Sequence, residues 1–219
     1  MSKPKRRSKL TISAEERFER DLIFFNNPIA VHGLALTPIV AVANTLQKSL
    51  ILMSVFIPLL LITRILASLF ITFIPSRLKI MFSALLSGAV LIPVLVLASR
   101  VFGEETFKLG IYLPMLAVDT LILSSSEIKE DEKKTKIFIS AIKLSLGYSL
   151  VVYFVGFVRE ILGLGSILGY KLFNFTILPV ANTTAGGFII TGILLAVFQS
   201  LIFAMKRVII GERRQRKDA

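Results

Sequence analysis

Six apolar runs, each close to the length of a membrane-spanning helix, constrain this chain more than any other feature of its sequence. About 20 predominantly apolar residues are needed for a helix to cross the hydrocarbon of a bilayer. The runs lack the alternation of a β-barrel, and only helices and closed barrels span lipid. The sequence therefore predicts an all-α polytopic membrane protein with six transmembrane helices. The runs cover roughly residues 29–47, 50–74, 80–101, 109–126, 137–157 and 185–205.

The distribution of charge predicts how these helices are oriented. The chain is 54% hydrophobic and 18% charged, and most of its 26 Lys and Arg residues lie near the termini and around 75–79 and 127–136. By the positive-inside rule, both termini lie in the cytoplasm. The net charge of +12 therefore follows from membrane topology and not from a nucleic-acid-binding face. We expect a basic cytoplasmic tail over 1–22, a membrane domain over 23–207 and a second basic tail over 208–219.

The two halves of the chain repeat a short pattern. The stretch PIVAVANTL that begins at Pro38 resembles PMLAVDTL, which begins at Pro114, with one residue of slip. The copies lie in the first and fourth runs, so each repeat contains three spans, and an odd number of spans per repeat inverts the second half relative to the first. The pattern predicts a 3+3 inverted repeat whose first and fourth helices are interrupted at these prolines. Such interruptions are typical of a functional site near the membrane midplane.

Each interrupted run carries polar side chains. Thr37 precedes Pro38, whereas Asp119 and Thr120 follow Pro114. An ionisable group at mid-membrane costs roughly 2.5–3.5 kcal/mol on insertion scales, so such groups are usually paired or hydrated. Arg64 lies deep in the second run, and we predict that it pairs with Asp119. The alternative is that Asp119 lies near enough to the cytoplasmic end of its span to be hydrated.

No catalytic motif accompanies these groups. The chain has no cysteine and a single histidine, which excludes thiolate ligands from this chain and disulfides. It has no glycine-rich phosphate loop and no nucleophile beside a base. The distinctive stretch GFVREILGLGS contains Arg159, Glu160 and Gly163. We interpret it as the end of the fifth span, with an interfacial ion pair and close backbone packing.

That stretch, together with Asn27-Pro28, the Pro38 segment, IYLPMLAVD at 111–119 and AGGFI at 185–189, resembles the RnfE/NqrD branch of the Rnf/Nqr membrane subunits. The resemblance extends from about residue 24 to 205. It implies six spans in a 3+3 inverted repeat, paired with a homologous subunit (RnfA or NqrE) of opposite orientation. It also implies a prokaryotic inner-membrane complex that carries electrons from NADH or ferredoxin-type donors through flavins and iron–sulfur centres, coupled to Na⁺ or H⁺ transport.

The chain also departs from this family. In the family, each paired subunit brings one cysteine from span one and one from span four to a shared two-iron two-sulfur cluster. The matching positions here are Thr37 and Thr120, and a threonine hydroxyl is a poor ligand for iron. We therefore expect no cofactor to be bound by this chain alone, with flavins or iron–sulfur centres on partner subunits.

Three functions are consistent with the sequence. The first is a membrane subunit of an Rnf/Nqr-like electron-transfer complex that lacks its own iron–sulfur ligands and has flavin-bearing or ferredoxin-like partners. The second is an inverted-repeat transporter or channel, in which Thr37, Asp119 and Thr120 bind an ion or a small solute. The third is a scaffold subunit without chemistry. In each case the partners include the lipid bilayer and exclude nucleic acid.

Overall fold

The computed structural model describes residues 21–70, 73–124, 134–172 and 175–218, with side chains described through residue 209. This part of the chain is helical apart from one small hairpin. Short 3₁₀ turns occur at Ser76–Leu78, Leu116–Val118 and Pro179–Asn182. In chain order the elements are α1 (Pro28–His32), α2 (Leu36–Val42), α3 (Leu46–Phe70), α4 (Lys79–Phe102), α5 (Glu104–Lys108), α6 (Tyr112–Met115), α7 (Thr120–Leu123), α8 (Lys134–Leu164), β1 (Ser166–Ile167), β2 (Tyr170–Lys171) and α9 (Thr184–Asp218).

Four long helices confirm the all-α membrane class within the described residues. The stretches Leu46–Phe70, Ser76–Phe102, Lys134–Leu164 and Thr184–Ile209 are each long and apolar enough to cross a bilayer. They correspond to the second, third, fifth and sixth apolar runs. The sequence predicts that the fifth run ends at residue 157, but α8 continues to Leu164. Arg159 and Glu160 therefore lie inside a helix and not beyond its end.

The first and fourth runs form short helices instead of continuous spans. The first run folds as α1, α2 and the beginning of α3, and the described part of the fourth run contains α6, the Leu116–Val118 turn and α7. Residues 125 and 126, at the end of the fourth run, lie outside the described residues. The predicted interruption of both runs is therefore present, but its position needs correction.

The prolines lie within short helices and not at the breaks. Pro38 is the third residue of α2, and Pro114 is the third residue of α6. Proline is tolerated in a first helical turn, because the N–H that it lacks would have no helical partner there. The first break precedes Pro38, where Gly33 and Ala35 have left-handed backbone conformations with φ of 67° and 58°.

Two further breaks follow the short helices. The backbone leaves the helical conformation at Ala43, which has ψ of 60°, and α3 begins at Leu46. In the second half, Asp119 is extended, with ψ of 143°, and α7 begins at the next residue. Each proline-containing segment is therefore followed by a non-helical residue.

Side-chain contacts establish the directions of the long helices. The ring of Phe56 on α3 stacks on Tyr148 of α8, with centroids 3.6 Å apart. Further along α3, Arg64 donates to the hydroxyl of Ser140, which lies earlier in α8. The two helices therefore run antiparallel. The ring of Phe70, at the end of α3, contacts Phe82 in the first turn of α4, and the two helices pack on each other, so they are antiparallel as well.

The hydrophobic core lies where α3 packs between α4 and α8, with the short segments packed against the same helices. Its most buried side chains are at most 1% exposed, and they include Phe56 and Tyr148. The long helices α4 and α9 are less enclosed than α3 and α8 in their apolar windows. Apolar side chains are stable both in the protein core and in lipid, so their burial does not locate the functional site. The polar contacts at the helix breaks do.

Candidate functional site

The two interrupted segments meet at a direct hydrogen bond. The backbone N–H of Ala35 donates to Oγ1 of Thr120 over 3.2 Å, although the two residues are 85 positions apart in sequence. Ala35 is buried, whereas Thr37 and Thr120 are both exposed. We call these two exposed threonines, whose segments this bond joins, the threonine face. The first and fourth runs therefore contact each other in the structure.

Asp119 organises the backbone just before Thr120. Its Oδ1 accepts the N–H of Leu121 over 3.0 Å, so the carboxylate caps the N-terminus of α7. Asp119 is 9% exposed. The hydroxyl of Ser87 on α4 donates to the carbonyl of Ala117, which holds the preceding turn against the bundle. Asp119 is thus a largely enclosed capping residue beside the threonine face.

The predicted Arg64–Asp119 ion pair is wrong. Arg64 donates through Nη2 to the hydroxyl of Ser124 over 3.1 Å and through Nη1 to that of Ser140 over 3.2 Å. No salt bridge joins Arg64 to Asp119, both of which are described residues. Arg64 instead ties the end of α7 to α8. The serines were the signal in the sequence that pointed to this arrangement, because hydroxyls also satisfy a guanidinium.

Arg159 lies at the centre of a second polar cluster. Its side chain is fully buried, and its guanidinium donates to carbonyl oxygens of two separate segments. These acceptors are Ile39 at 3.4 Å, Val40 at 2.6 Å, Ala181 at 3.0 Å and Thr183 at 3.2 Å. Ile39 and Val40 belong to the last turn of α2, where a positive charge complements the helix dipole. The carbonyl of Ile39 also accepts the N–H of Ala43 over 3.0 Å.

Glu160 binds the opposite side of the same break. Its Oε2 accepts the N–H of Leu46, the first residue of α3, over 2.7 Å. Its Oε1 accepts the hydroxyl of Ser166 and the N–H of Gly169 in the hairpin. The side chain is 1% exposed, and an anion at a helix N-terminus is favourable. Arg159 and Glu160 thus join α2, α3, the hairpin and the connector to α9.

The predicted interfacial ion pair between Arg159 and Glu160 is also wrong. Both residues are described, and no salt bridge connects them. Adjacent residues on a helix point in different directions, so each charge reaches a different backbone segment. We call this pair the backbone clamp, because its contacts are almost all with main-chain atoms. The sequence identified the two residues, but not their partners.

Glycines allow the close approach that the clamp needs. A Cβ on Gly187 would lie 2.6 Å from Nη2 of Arg159 and 2.9 Å from the carbonyl oxygen of Val40. A Cβ on Gly163 would lie 3.1 Å from the N atom of Asn182. The close backbone packing predicted for this stretch is therefore confirmed at Gly163.

Two asparagines also tie the short segments down. Asn27 caps α1 through Oδ1, and its Nδ2 donates to the carbonyl of Gly147 on α8 over 2.9 Å. In the break after α2, Asn44 donates to Oδ1 of Asn182 over 2.8 Å. The sequence indicates Asn27 only as part of a motif and predicts no contact for Asn44. Asparagine beside a helix start is a recognisable capping signal.

Comparison with known proteins identifies the family. Residues 18–195 match the family described as "Rnf-Nqr subunit, membrane protein". This match covers most of the chain. The chain belongs to the Rnf-Nqr family.

Several relatives of this Rnf-Nqr chain share one name, that of the E subunit of an ion-translocating oxidoreductase complex. The chain is 29% identical over 210 residues to the protein of that name from Shewanella oneidensis, covering 88% of this chain and 86% of the relative. The protein of the same name from Shewanella baltica strain OS185 is 27% identical over 187 residues, covering 78% of this chain and 81% of the relative. The predicted family is therefore confirmed.

The residues at the threonine face do not suit the iron–sulfur cluster that the family resemblance implies. Threonine offers a neutral hydroxyl, whereas such clusters are held by thiolates. Oγ1 of Thr120 already accepts the N–H of Ala35. Within the described ranges, no group of three or more His, Cys, Asp or Glu side chains is placed to hold a metal ion.

Proposed function

We propose that this chain is the membrane component of an ion-translocating oxidoreductase complex that corresponds to the E subunit of its relatives. Its family membership over residues 18–195 and the shared name of those relatives support this assignment. The structural observation that carries it is the hydrogen bond that joins the two interrupted segments at an exposed surface. Exposed threonine hydroxyls beside the meeting point of two broken segments fit contact with another protein chain better than contact with lipid.

We infer that the described segments belong to a six-span, 3+3 inverted repeat. Because α8 runs antiparallel to α3, and α3 antiparallel to α4, the end of α4 and the start of α8 lie on opposite sides of the bundle. The chain between Phe102 and Lys134 must therefore cross. This crossing accounts for a fifth span in addition to the four long helices.

The remaining span is the segment from Asn27 to Leu46, and the positions of its two ends along α8 support it. Its side chain meets Gly147, whereas Leu46 meets Glu160 at the far end of α8. These two positions of α8 are about 20 Å apart at roughly 1.5 Å per residue. The chain from Asn27 to Leu46 therefore crosses much of the thickness of the bilayer. Both halves then consist of a broken segment followed by two long helices.

The partner that best fits the threonine face is a homologous membrane subunit of opposite orientation. An inverted partner presents a corresponding pair of broken segments, and pseudo-symmetric docking brings the two faces together. We place the complex in a prokaryotic inner membrane with both termini of this chain in the cytoplasm. We assign any iron–sulfur centre to partner subunits, because Thr37 and Thr120 supply no thiolate, and we propose that flavins lie on partner subunits as well.

Gentle purification of the tagged chain from its native membrane tests this proposal. Iron, acid-labile sulfide and flavin are measured per chain, and co-purifying proteins are identified by mass spectrometry. The proposal expects flavin-bearing subunits and a homologous membrane subunit in stoichiometric amounts. Recovery of the chain alone, as a homodimer free of flavin, would contradict it.

Ion or solute transport by the chain itself is a second candidate function, favoured by the enclosed carboxylate of Asp119 beside two broken segments. A buried carboxylate at a helix break is a common ion-pathway element in membrane proteins. Reconstituted chain with Asp119→Asn distinguishes the two candidates. Loss of ion-dependent uptake with unchanged folding supports transport, whereas unchanged flux refutes it.

A further inference from the structure

The backbone clamp holds the helix that carries Thr37. The threonine lies near the start of α2, and Arg159 donates side-chain hydrogen bonds to the carbonyls at the end of α2. At its other end, α2 is preceded by Ala35, which bonds to Thr120. The short helix is therefore fixed at one end by the clamp and at the other by the segment that carries Thr120.

We propose that Arg159 and Glu160 are positioning residues, which set the place of Thr37 relative to the Thr120 segment and thereby shape the threonine face. Arg159 holds the carbonyls that end α2, and Glu160 holds the N–H group that begins α3. Together they fix both sides of the break at Ala43–Thr45. A seven-residue helix has few internal hydrogen bonds, so its position depends on such outside contacts.

The clamp also couples the threonine face to the opposite connector. The same guanidinium that holds α2 binds the carbonyls of Ala181 and Thr183, and Glu160 binds Gly169 in the hairpin. A displacement of this connector therefore competes directly with the bonds that hold α2. The physical link is one pair of side chains shared by two segments, and not proximity alone.

This inference rests on the proposed function, since a positioned threonine face serves a docking partner. Its test does not need the partner. The chain has no native cysteine, so Thr37→Cys and Val118→Cys provide two unique spin-label positions in the full chain in nanodiscs. Val118 is 58% exposed and immediately precedes Asp119, so labelling leaves Thr120 intact. Pulsed electron paramagnetic resonance then measures the distance distribution between the two segments.

Two variants perturb the clamp by different routes. Arg159→Gln removes most of the side-chain donors to α2. Gly187→Ala keeps Arg159 in the sequence, but its Cβ collides with the guanidinium and displaces it. Gly192→Ala is the matched control, because it lies on the same helix and its Cβ would meet nothing within 4 Å. Circular dichroism confirms that each labelled variant is folded at the measuring temperature.

We expect Arg159→Gln to broaden the Thr37–Val118 distance distribution by at least about twofold, because a helix end without partners for its carbonyls frays. Gly187→Ala shifts or broadens it to a smaller extent, and Arg159→Lys restores part of the parent distribution. Gly192→Ala leaves the distribution unchanged. If folded Arg159→Gln and Gly187→Ala both match the parent, the positioning role is refuted.

The proposed function fails in a different experiment. A clamp that positions α2 in a chain that co-purifies with no redox subunit would leave this inference standing and reject the oxidoreductase assignment. Conversely, the Arg159→Gln chain could assemble into a redox complex and show an undisturbed distance distribution. That result would reject the positioning role and leave the oxidoreductase assignment standing.

Discussion

Replacing Arg159 with methionine tests how much of the fold depends on the clamp. The side chain is fully buried and donates hydrogen bonds to four backbone carbonyls. The hydrogen bond to Ile39 is long, at 3.4 Å. Methionine preserves most of the volume and removes every donor. A hydrogen bond from a charged group contributes about 1.5–3 kcal/mol, whereas a buried guanidinium carries a desolvation penalty that its removal relieves.

The net effect follows from these opposing contributions. We expect Arg159→Met to lower the free energy of unfolding by about 1.5–3 kcal/mol, because the loss of charged hydrogen bonds outweighs the desolvation penalty that is relieved. For a chain of this length, that corresponds to a fall of roughly 3–12 °C in the midpoint of thermal unfolding. Arg159→Lys should lie between the two proteins, because an ammonium lacks the planar fork that reaches two segments.

The assay is unfolding in mixed micelles with an increasing mole fraction of sodium dodecyl sulfate, followed by far-ultraviolet circular dichroism. Arg100→Met is the matched control, because Arg100 is exposed in the last turn of α4. It should cost less than about 1 kcal/mol, as is typical of exposed charges. If Arg159→Met and Arg100→Met are equally stable, the clamp does not support the break between α2 and α3.

Three further substitutions test the contacts at the breaks by the same unfolding assay. Glu160→Gln should cost about 1.5–3 kcal/mol, because an amide cannot replace a carboxylate that accepts from three donors; an unchanged midpoint would contradict its capping role. Gly147→Ala should destabilise the chain, since its Cβ would lie 2.6 Å from the carbonyl oxygen of Leu22, whereas Gly88→Ala, with nothing within 4 Å, should not. Thr120→Val, which keeps the shape but removes the acceptor for Ala35, should cost about 1 kcal/mol, and equal stability would show that this bond contributes nothing.

Apolar length was sufficient to predict the long helices, but proline was a poor guide to the breaks. Runs of membrane-spanning length have one favourable solution in lipid, so α3, α4, α8 and α9 follow from composition. Pro38 and Pro114 fit the first turns of α2 and α6, because a first-turn residue needs no N–H partner. The breaks instead occur where the backbone turns at Gly33 to Ala35, at Ala43 and at Asp119.

The candidate site could be predicted only as a set of residues. Thr37 and Thr120 were identified through the family resemblance, and the structure brings their segments together through Ala35. Arg159 and Glu160 were expected to pair with each other, since adjacent opposite charges suggest a local contact. Their actual partners include backbone atoms more than 110 positions away, and main-chain atoms leave no residue-specific signal in a sequence.

The role of the threonine face is tested most directly by crosslinking in the intact complex. A photoreactive benzophenone side chain is introduced at Thr37 in cells that express the native partners, and the adducts are identified by mass spectrometry. Val96, which is 50% exposed on α4, is the control position. We predict that Thr37 crosslinks to a homologous membrane subunit and that Val96 does not. Adducts of Thr37 with lipid alone, or the same adducts from both positions, would contradict a docking role for this face.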